Sequence, residues 1–196
     1  MAHLDTLVIK YLVESNDSLV NISGVAKSLG VDYKNVYLSI SRLKKKGLIS
    51  TSKFGNSKIL TLTSKLHPLI FDAEFLRKEQ VLKNKDIRII FDEVKKLNSS
   101  FFMFLLFGSY ASFSQRKGSD IDLLFVVPGS VDDFELNLNR VFSRLPLNIH
   151  LLVFSESEFK DMVFANSPNV AKEAIRSCIV LHGLEYFYDL KNAKPK

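Results

Sequence analysis

The stretch that decides the fold reads Phe101-Phe-Met-Phe-Leu-Leu-Phe-Gly-Ser109, then ten residues that include Arg116, Lys117 and Gly118, then Asp120-Ile-Asp-Leu-Leu-Phe-Val-Val127. A short apolar run ending on Gly-Ser is the pattern of a strand buried on both faces of a sheet. The second run, closed by Pro128-Gly129, repeats it. Strand side chains alternate faces, so Asp120 and Asp122 point the same way while Ile121 and Leu123 pack oppositely. Two carboxylates so placed suit Mg2+, which takes hard oxygen ligands and leaves positions for substrate phosphates. The Gly108-Ser109 turn lets the backbone approach a phosphate, and the amides of the helix that follows can hold the anion. Together these parts describe phosphoryl or nucleotidyl transfer by in-line displacement.

Working outward, Ile87, Ile90, Phe91, Val94 and Leu97 form a one-sided helical stripe, broken at Asn98-Ser99-Ser100. Val131 to Leu145 reads as a second helix and Leu147 to Phe154 as a third strand. Ser155 then caps a helix holding Phe159, Met162 and Val163. Ser167-Pro168 opens a last long helix with the stripe Val170, Ala171, Ala174, Ile175 and Cys178, stopped by Gly183. Strands alternating with helices give an α/β (α+β) layer, a small mixed sheet flanked by helices.

The strings Phe104-Leu-Leu-Phe-Gly-Ser-Tyr-Ala111 and Gly118-Ser-Asp-Ile-Asp-Leu-Leu-Phe125 resemble the polymerase-β-like nucleotidyltransferase superfamily, specifically its small stand-alone members. The tail Glu173 to Glu185 looks like that family's closing helix, so the resemblance covers roughly residues 85–188. It implies that Gly108, Ser109 and Ser119 bind a nucleoside triphosphate, ATP first among them. It also implies that Asp120 and Asp122 are the catalytic, metal-holding acids. The implied reaction moves an NMP to an acceptor hydroxyl and releases pyrophosphate. Small members of the family pair with a small helical partner protein in toxin–antitoxin systems, which makes such a protein the expected acceptor. Two departures stand out: Ser112-Phe113 replaces the family's Arg-Gly, and His150 sits where active members carry a third carboxylate. His150 is therefore a further candidate ligand, one that suits Mn2+ better than Mg2+. The alternative is a transcriptional regulator whose transferase domain is degenerate and serves nucleotide sensing or protein interaction.

The chain has 196 residues, 46% apolar and 24% charged, with net charge +6, an ordinary globular composition that excludes collagen-like and disordered classes. The charge is unevenly spread. Residues 1–65 hold ten Lys and Arg against four acids, whereas residues 66–196 hold seventeen of each sign. Such asymmetry points to a polyanion-binding module joined to a neutral one. In the basic third, Leu4, Leu7, Val8, Tyr11 and Leu12 follow helical spacing, and a polar break at Glu14 to Ser18 ends the run. Asn21 caps a second helix with Ile22, Val25, Ala26 and Leu29 inward. Asp32 caps a third with Val36, Ile40 and Leu43 inward. Two short strands, Leu48 to Ser52 and Lys58 to Thr63, follow around the turn Phe54-Gly55-Asn56-Ser57.

Three helices and a hairpin resemble a winged helix-turn-helix, with Ile22 to Tyr37 and Ile40 to Ile49 as the matching strings. The resemblance implies that the third helix enters the major groove of double-stranded DNA. Lys34, Asn35 and Arg42 are then the base readers, Lys45 shares their face of the third helix, and Lys44, Lys46, Lys53 and Lys58 are better placed for phosphates. The competing reading makes Arg42 to Lys46 a solvated helix end that complements the helix dipole. The expected organisation is a winged helix at 1–65, a helical linker at 66–83 and a nucleotidyltransferase-like domain at 84–190, assembled as a homodimer. The longest apolar run, Phe101 to Phe107, is far below the roughly 20 residues of a membrane span. The single Cys178 reads as a small buried hydrophobe, and the whole as a soluble cytoplasmic protein.

Overall fold

Side-chain caps set the first helices. In the computed structural model, which describes residues 3–15, 19–55, 57–97 and 100–193, α1 spans Leu4–Glu14, α2 Ile22–Leu29 and α3 Tyr33–Lys45. Asn21 accepts the Gly24 N–H at the start of α2, at 2.8 Å. Asp32 occupies the N-cap of α3 without a side-chain capping bond, so the cap expected there is positional only. Strands β1 (Ile49–Phe54) and β2 (Ser57–Leu62) pair antiparallel from Ile49 opposite Leu62 to Phe54 opposite Ser57. The Leu60 N–H reaches back to Val20 O at 2.8 Å, which ties the start of α2 to the hairpin. The breaks expected at Asn16–Ser18 and Asn98–Ser99, and the turn residue Asn56, lie outside the described residues.

The core of this part is Val8, Ile9, Val25, Val36, Ile40, Leu43, Leu48 and Leu60. One expectation fails here. Leu4, Leu7, Tyr11 and Leu12 are only half-buried, and α1 instead turns Asp5, Thr6, Val8 and Ile9 inward. The rotation has a polar cause. Asp5 is 2% exposed and accepts hydrogen bonds from Ser39 Oγ at 2.6 Å and Arg42 Nη2 at 2.6 Å, so burial of the carboxylate is compensated.

Helix α4 runs Pro68–Val81, and the division of the chain into two compact units, Met1–Arg77 and Lys78–Lys196, falls inside it. The second unit continues with α5 (Lys85–Lys95), β3 (Met103–Phe107), α6 (Gly108–Ala111) and β4 (Ile121–Val127). After these come α7 (Val131–Phe142), β5 (Ile149–Ser155), α8 (Glu156–Phe164), α9 (Val170–Arg176), β6 (Ile179–His182) and α10 (Leu184–Asn192). The mixed sheet has the order β5-β4-β3-β6, with β4 and β5 parallel and β3 antiparallel to both its neighbours. Strand β3 is buried along its whole length, as its apolar run requires. Phe104, Leu106, Leu123 and Phe125 pack with Ile87, Ile90 and Val94 of α5 and Phe134 and Leu138 of α7. Leu105 and Leu124 are equally buried, and α8, α9 and α10 lie against the same strands.

The expected last long helix from Ser167-Pro168 to Gly183 does not form as one element. Asn169 caps a short α9 that ends at Arg176. Ile179–His182 then extends as β6 against β3, and Gly183 begins α10. The cause is tertiary. Val180 and Ile179 find partners in Leu105 and Leu106, so the edge of β3 is covered by a strand. Ser155, by contrast, caps α8 as expected, in a complete capping box with Glu158. Among the described residues no helix is long and apolar enough to cross a membrane, and Cys178 is buried.

Candidate functional site

The site is built where the end of β3 lies beside the start of β4. Phe107, the last residue of β3, pairs with Asp122 on β4, and Asp122 in turn stands opposite His150 on β5. Beyond Phe107 the chain turns sharply at Gly108, whose φ of +67° opens the single turn of α6. Glycine is required there on two counts. A Cβ would lie 2.1 Å from Oδ2 of Asp122, and the left-handed backbone disfavours any side chain. The close approach sets the backbone of Gly108 directly against the carboxylate.

A hydrogen bond joins His150 Nδ1 to Asp122 Oδ1 at 3.0 Å, the ring nitrogen donating to the carboxylate. The imidazole is 55% exposed and the carboxylate 24% exposed, so both reach the surface. Asp120 precedes β4 rather than lying in it. It is exposed and takes no hydrogen bond or ion pair among the described residues. Ser109 follows Gly108 in α6 and is half-buried. Ser119 uses its hydroxyl to accept the Arg116 N–H at 2.9 Å, which closes the turn leading to Asp120. The structure thus brings Gly108, Asp122 and His150 together. Ser109 adjoins them along the chain, and Ser119 serves the loop.

Asp122 is the one of the two expected acids set against Gly108 and His150, and a carboxylate is a hard oxygen donor of the kind a divalent cation takes beside phosphate oxygens. One oxygen of Asp122 is already engaged by His150, and among the described residues no group of three or more His, Cys, Asp or Glu side chains is arranged to hold a metal ion.

The basic face of the first unit is a separate matter. Lys34, Asn35, Arg42, Lys44, Lys45, Lys46, Lys53 and Lys58 are all exposed. Arg42, however, closes its guanidinium on Asp5, with Nη2 at 2.6 Å from Oδ1 and Nε at 3.3 Å from Oδ2. The fork expected to read a base edge is therefore engaged in holding α3 to α1. Burial pushes the Asp5 carboxyl up, but hydrogen bonds from Arg42 and Ser39 and the charge of Arg42 outweigh it, so the carboxyl lies below its ordinary range. Tyr33 and Tyr37, unremarked in the sequence, stand exposed on α3 and stack with ring centroids 6.5 Å apart. An aromatic pair at i, i+4 was the available signal.

Residues 87–181 match the family described as "Nucleotidyltransferase domain". No curated protein matches the chain significantly. Among solved structures, the chain is similar to one described as "Crystal structure of the toxin-antitoxin with AMP-PNP". The identity is 18%, over 53% of this chain and 80% of that one, with a TM-score of 0.39. It is also similar to hypothetical protein PyrSV_gp04 from Pyrobaculum spherical virus at 20% identity and a TM-score of 0.27, covering 43% of this chain and 57% of that one. The greater part of the second unit, residues 87–181, is a nucleotidyltransferase domain.

Proposed function

We propose that this chain is a DNA-binding protein whose nucleotidyltransferase domain holds a nucleoside triphosphate with one divalent cation and turns it over slowly. The backbone amides at Gly108 and Ser109 cradle the phosphates, and Asp120 and Asp122 hold the cation the nucleotide brings. When bound, that cation offsets negative charge on the triphosphate and on the departing pyrophosphate. In the reaction an acceptor hydroxyl oxygen bonds to the α-phosphorus, the bridging bond to the β-phosphate breaks, and pyrophosphate leaves. The hydroxyl proton passes to solvent.

The observation that supports slow turnover is the His150–Asp122 hydrogen bond at 3.0 Å: an imidazole engages Asp122 at the position where, by the resemblance, active relatives carry a third carboxylate. The same observation favours the second reading, a regulator that senses nucleotide without consuming it. Calorimetric titration with ATP and Mg2+ tests the binding. The chain is expected to bind, and Asp122→Asn to lower affinity at least tenfold, because one of two ligand carboxylates becomes a neutral amide. Absence of ATP binding with either Mg2+ or Mn2+ sinks the nucleotide reading.

The DNA reading rests on the charge excess, which lies wholly before residue 66, and on the exposure of the lysines that carry it. We read α1 to β2 as a winged helix whose α3 faces the major groove, with Lys34 and Asn35 nearest the bases. Triple substitution of Lys44, Lys45 and Lys46 by Glu is expected to weaken binding to all duplexes alike. The salt dependence should fall by about one counterion for each phosphate that is no longer neutralised. Fluorescence anisotropy across a salt series measures both. Equal affinity of the variant and the parent chain contradicts the reading.

A further inference from the structure

Phe113 is where the site departs most from economy. Among the described residues it is the one non-glycine residue with positive φ, at +55°, a region a bulky side chain enters only at a cost. A glycine would adopt the same backbone freely. Core packing does not offset the cost in full, since the ring is 44% exposed. The backbone on either side is nevertheless fixed. Ser112 Oγ donates to the carbonyls of Gly108 at 3.1 Å and Ser109 at 3.2 Å, and the Ser114 N–H donates to Ser109 O at 2.9 Å. Phe113 is thus a solvent-facing aromatic ring on a strained residue. Its two neighbours bond directly to the segment that the nucleotide reading assigns to the triphosphate.

We propose that Phe113 is the nucleobase platform of this site, the surface on which the base of a bound nucleoside triphosphate stacks. The proposal rests on the nucleotide reading above and adds to it the part of the ligand that Gly108 and Ser109 do not engage. A phenyl ring stacks on any base, because every base presents a π face, and a two-ring purine covers more of it than a pyrimidine does. The substrate class is accordingly a purine triphosphate, with a pyrimidine bound more weakly. The positive φ is that of the residue just past the α6 C-cap, held by hydrogen bonds from the Phe113 N–H to Tyr110 O and the Ser114 N–H to Ser109 O; what a stacked base adds is cover for the exposed ring.

The test uses the full chain with Mg2+ and three ligands: ATP, CTP and inorganic tripolyphosphate, which carries the phosphates and no base. Calorimetry is expected to give tighter binding of ATP than of CTP. Phe113→Gly should weaken ATP binding by about 5- to 150-fold, the range set by loss of one stacked base. Its tripolyphosphate affinity should stay within twofold of the parent. Phe113→Tyr, which keeps the π face, should hold ATP within about threefold. Thermal unfolding should place Phe113→Gly at or above the parent, because glycine relaxes the backbone. A merely structural role for the ring predicts the opposite: a lower melting temperature and loss of both ligands together. Parent-like ATP affinity in Phe113→Gly overturns the stacking proposal alone. A parent chain that binds neither ATP nor tripolyphosphate overturns the nucleotide reading, and this proposal with it.

Discussion

Gly183→Ala is expected to destabilise the Lys78–Lys196 unit by about 4 kcal/mol, the largest stability effect of any single methyl group placed in it. Gly183 joins β6 to α10 with φ at +77°, which costs an L residue about 1–2 kcal/mol. The steric part is larger. The added Cβ would stand 1.9 Å from Phe102 O, 2.9 Å from Phe102 C and 3.0 Å from Met103 Cα. All three are backbone atoms, so no rotamer change relieves the overlap, and overpacking of this kind adds about 1–3 kcal/mol. Relief requires the β6–α10 corner to draw away from the start of β3, which loosens the pairing of Leu105 with Val180 and Leu106 with Ile179. Chemical denaturation should show the midpoint shifted at unchanged slope, with a melting temperature lower by about 15 °C. A fall of less than about 3 °C contradicts the close approach. Because β3 runs directly into Gly108, nucleotide affinity should decline alongside stability.

The same corner shows what sequence could not disclose. Strands β3 and β4 were legible because each is an apolar run buried on both faces, a property of consecutive residues. Strand β6 was not. Ile179–His182 is four residues long, and Cys178 before it completes a helical spacing with Ala171, Ala174 and Ile175, so local periodicity favours one long helix. Only a partner remote in sequence, β3, makes the segment extended. Asp5 teaches a related lesson. Helical spacing put Leu4, Leu7 and Tyr11 inward, and nothing local marks Asp5 as a core residue. The complementary Ser39 and Arg42 lie on another helix, and their hydrogen bonds make the buried carboxylate tolerable. At the candidate site, the apolar runs ending on Gly108-Ser109 and opening on Asp120-Ile121-Asp122 stood out locally, whereas His150 drew notice only through the resemblance to the nucleotidyltransferase superfamily. The His150–Asp122 hydrogen bond was legible in neither way, since it depends on the parallel register of β4 and β5.

That register makes His150→Asp the most informative change to the chemistry, and it is expected to raise Mg2+-dependent turnover about tenfold to a hundredfold. Position 150 lies directly opposite Asp122 across the parallel pair, within hydrogen-bond reach of its Oδ1. An aspartate there exchanges an imidazole for a carboxylate and frees Asp122 Oδ1 from its present donor. The site then offers three carboxylates in place of two, a set that magnesium accepts and imidazole-containing sets serve less well. Two carboxylates this close repel when nothing lies between them. The variant should therefore melt lower than the parent in the absence of divalent cations and gain more stability when Mg2+ is added, as binding to the folded state requires. Pyrophosphate release from ATP, with water as the acceptor, gives the turnover readout. Mn2+ should stimulate the parent more than Mg2+ does, and His150→Asp should reverse that preference. His150→Ala, which removes the hydrogen bond without adding a ligand, should leave Mg2+-dependent release no faster than the parent. If Ala and Asp at position 150 accelerate release equally, relief of Asp122 is the operative change and a third carboxylate is not. If the parent already releases pyrophosphate rapidly in Mg2+ and Asp at position 150 adds nothing, His150 does not stand in the place of the missing acid.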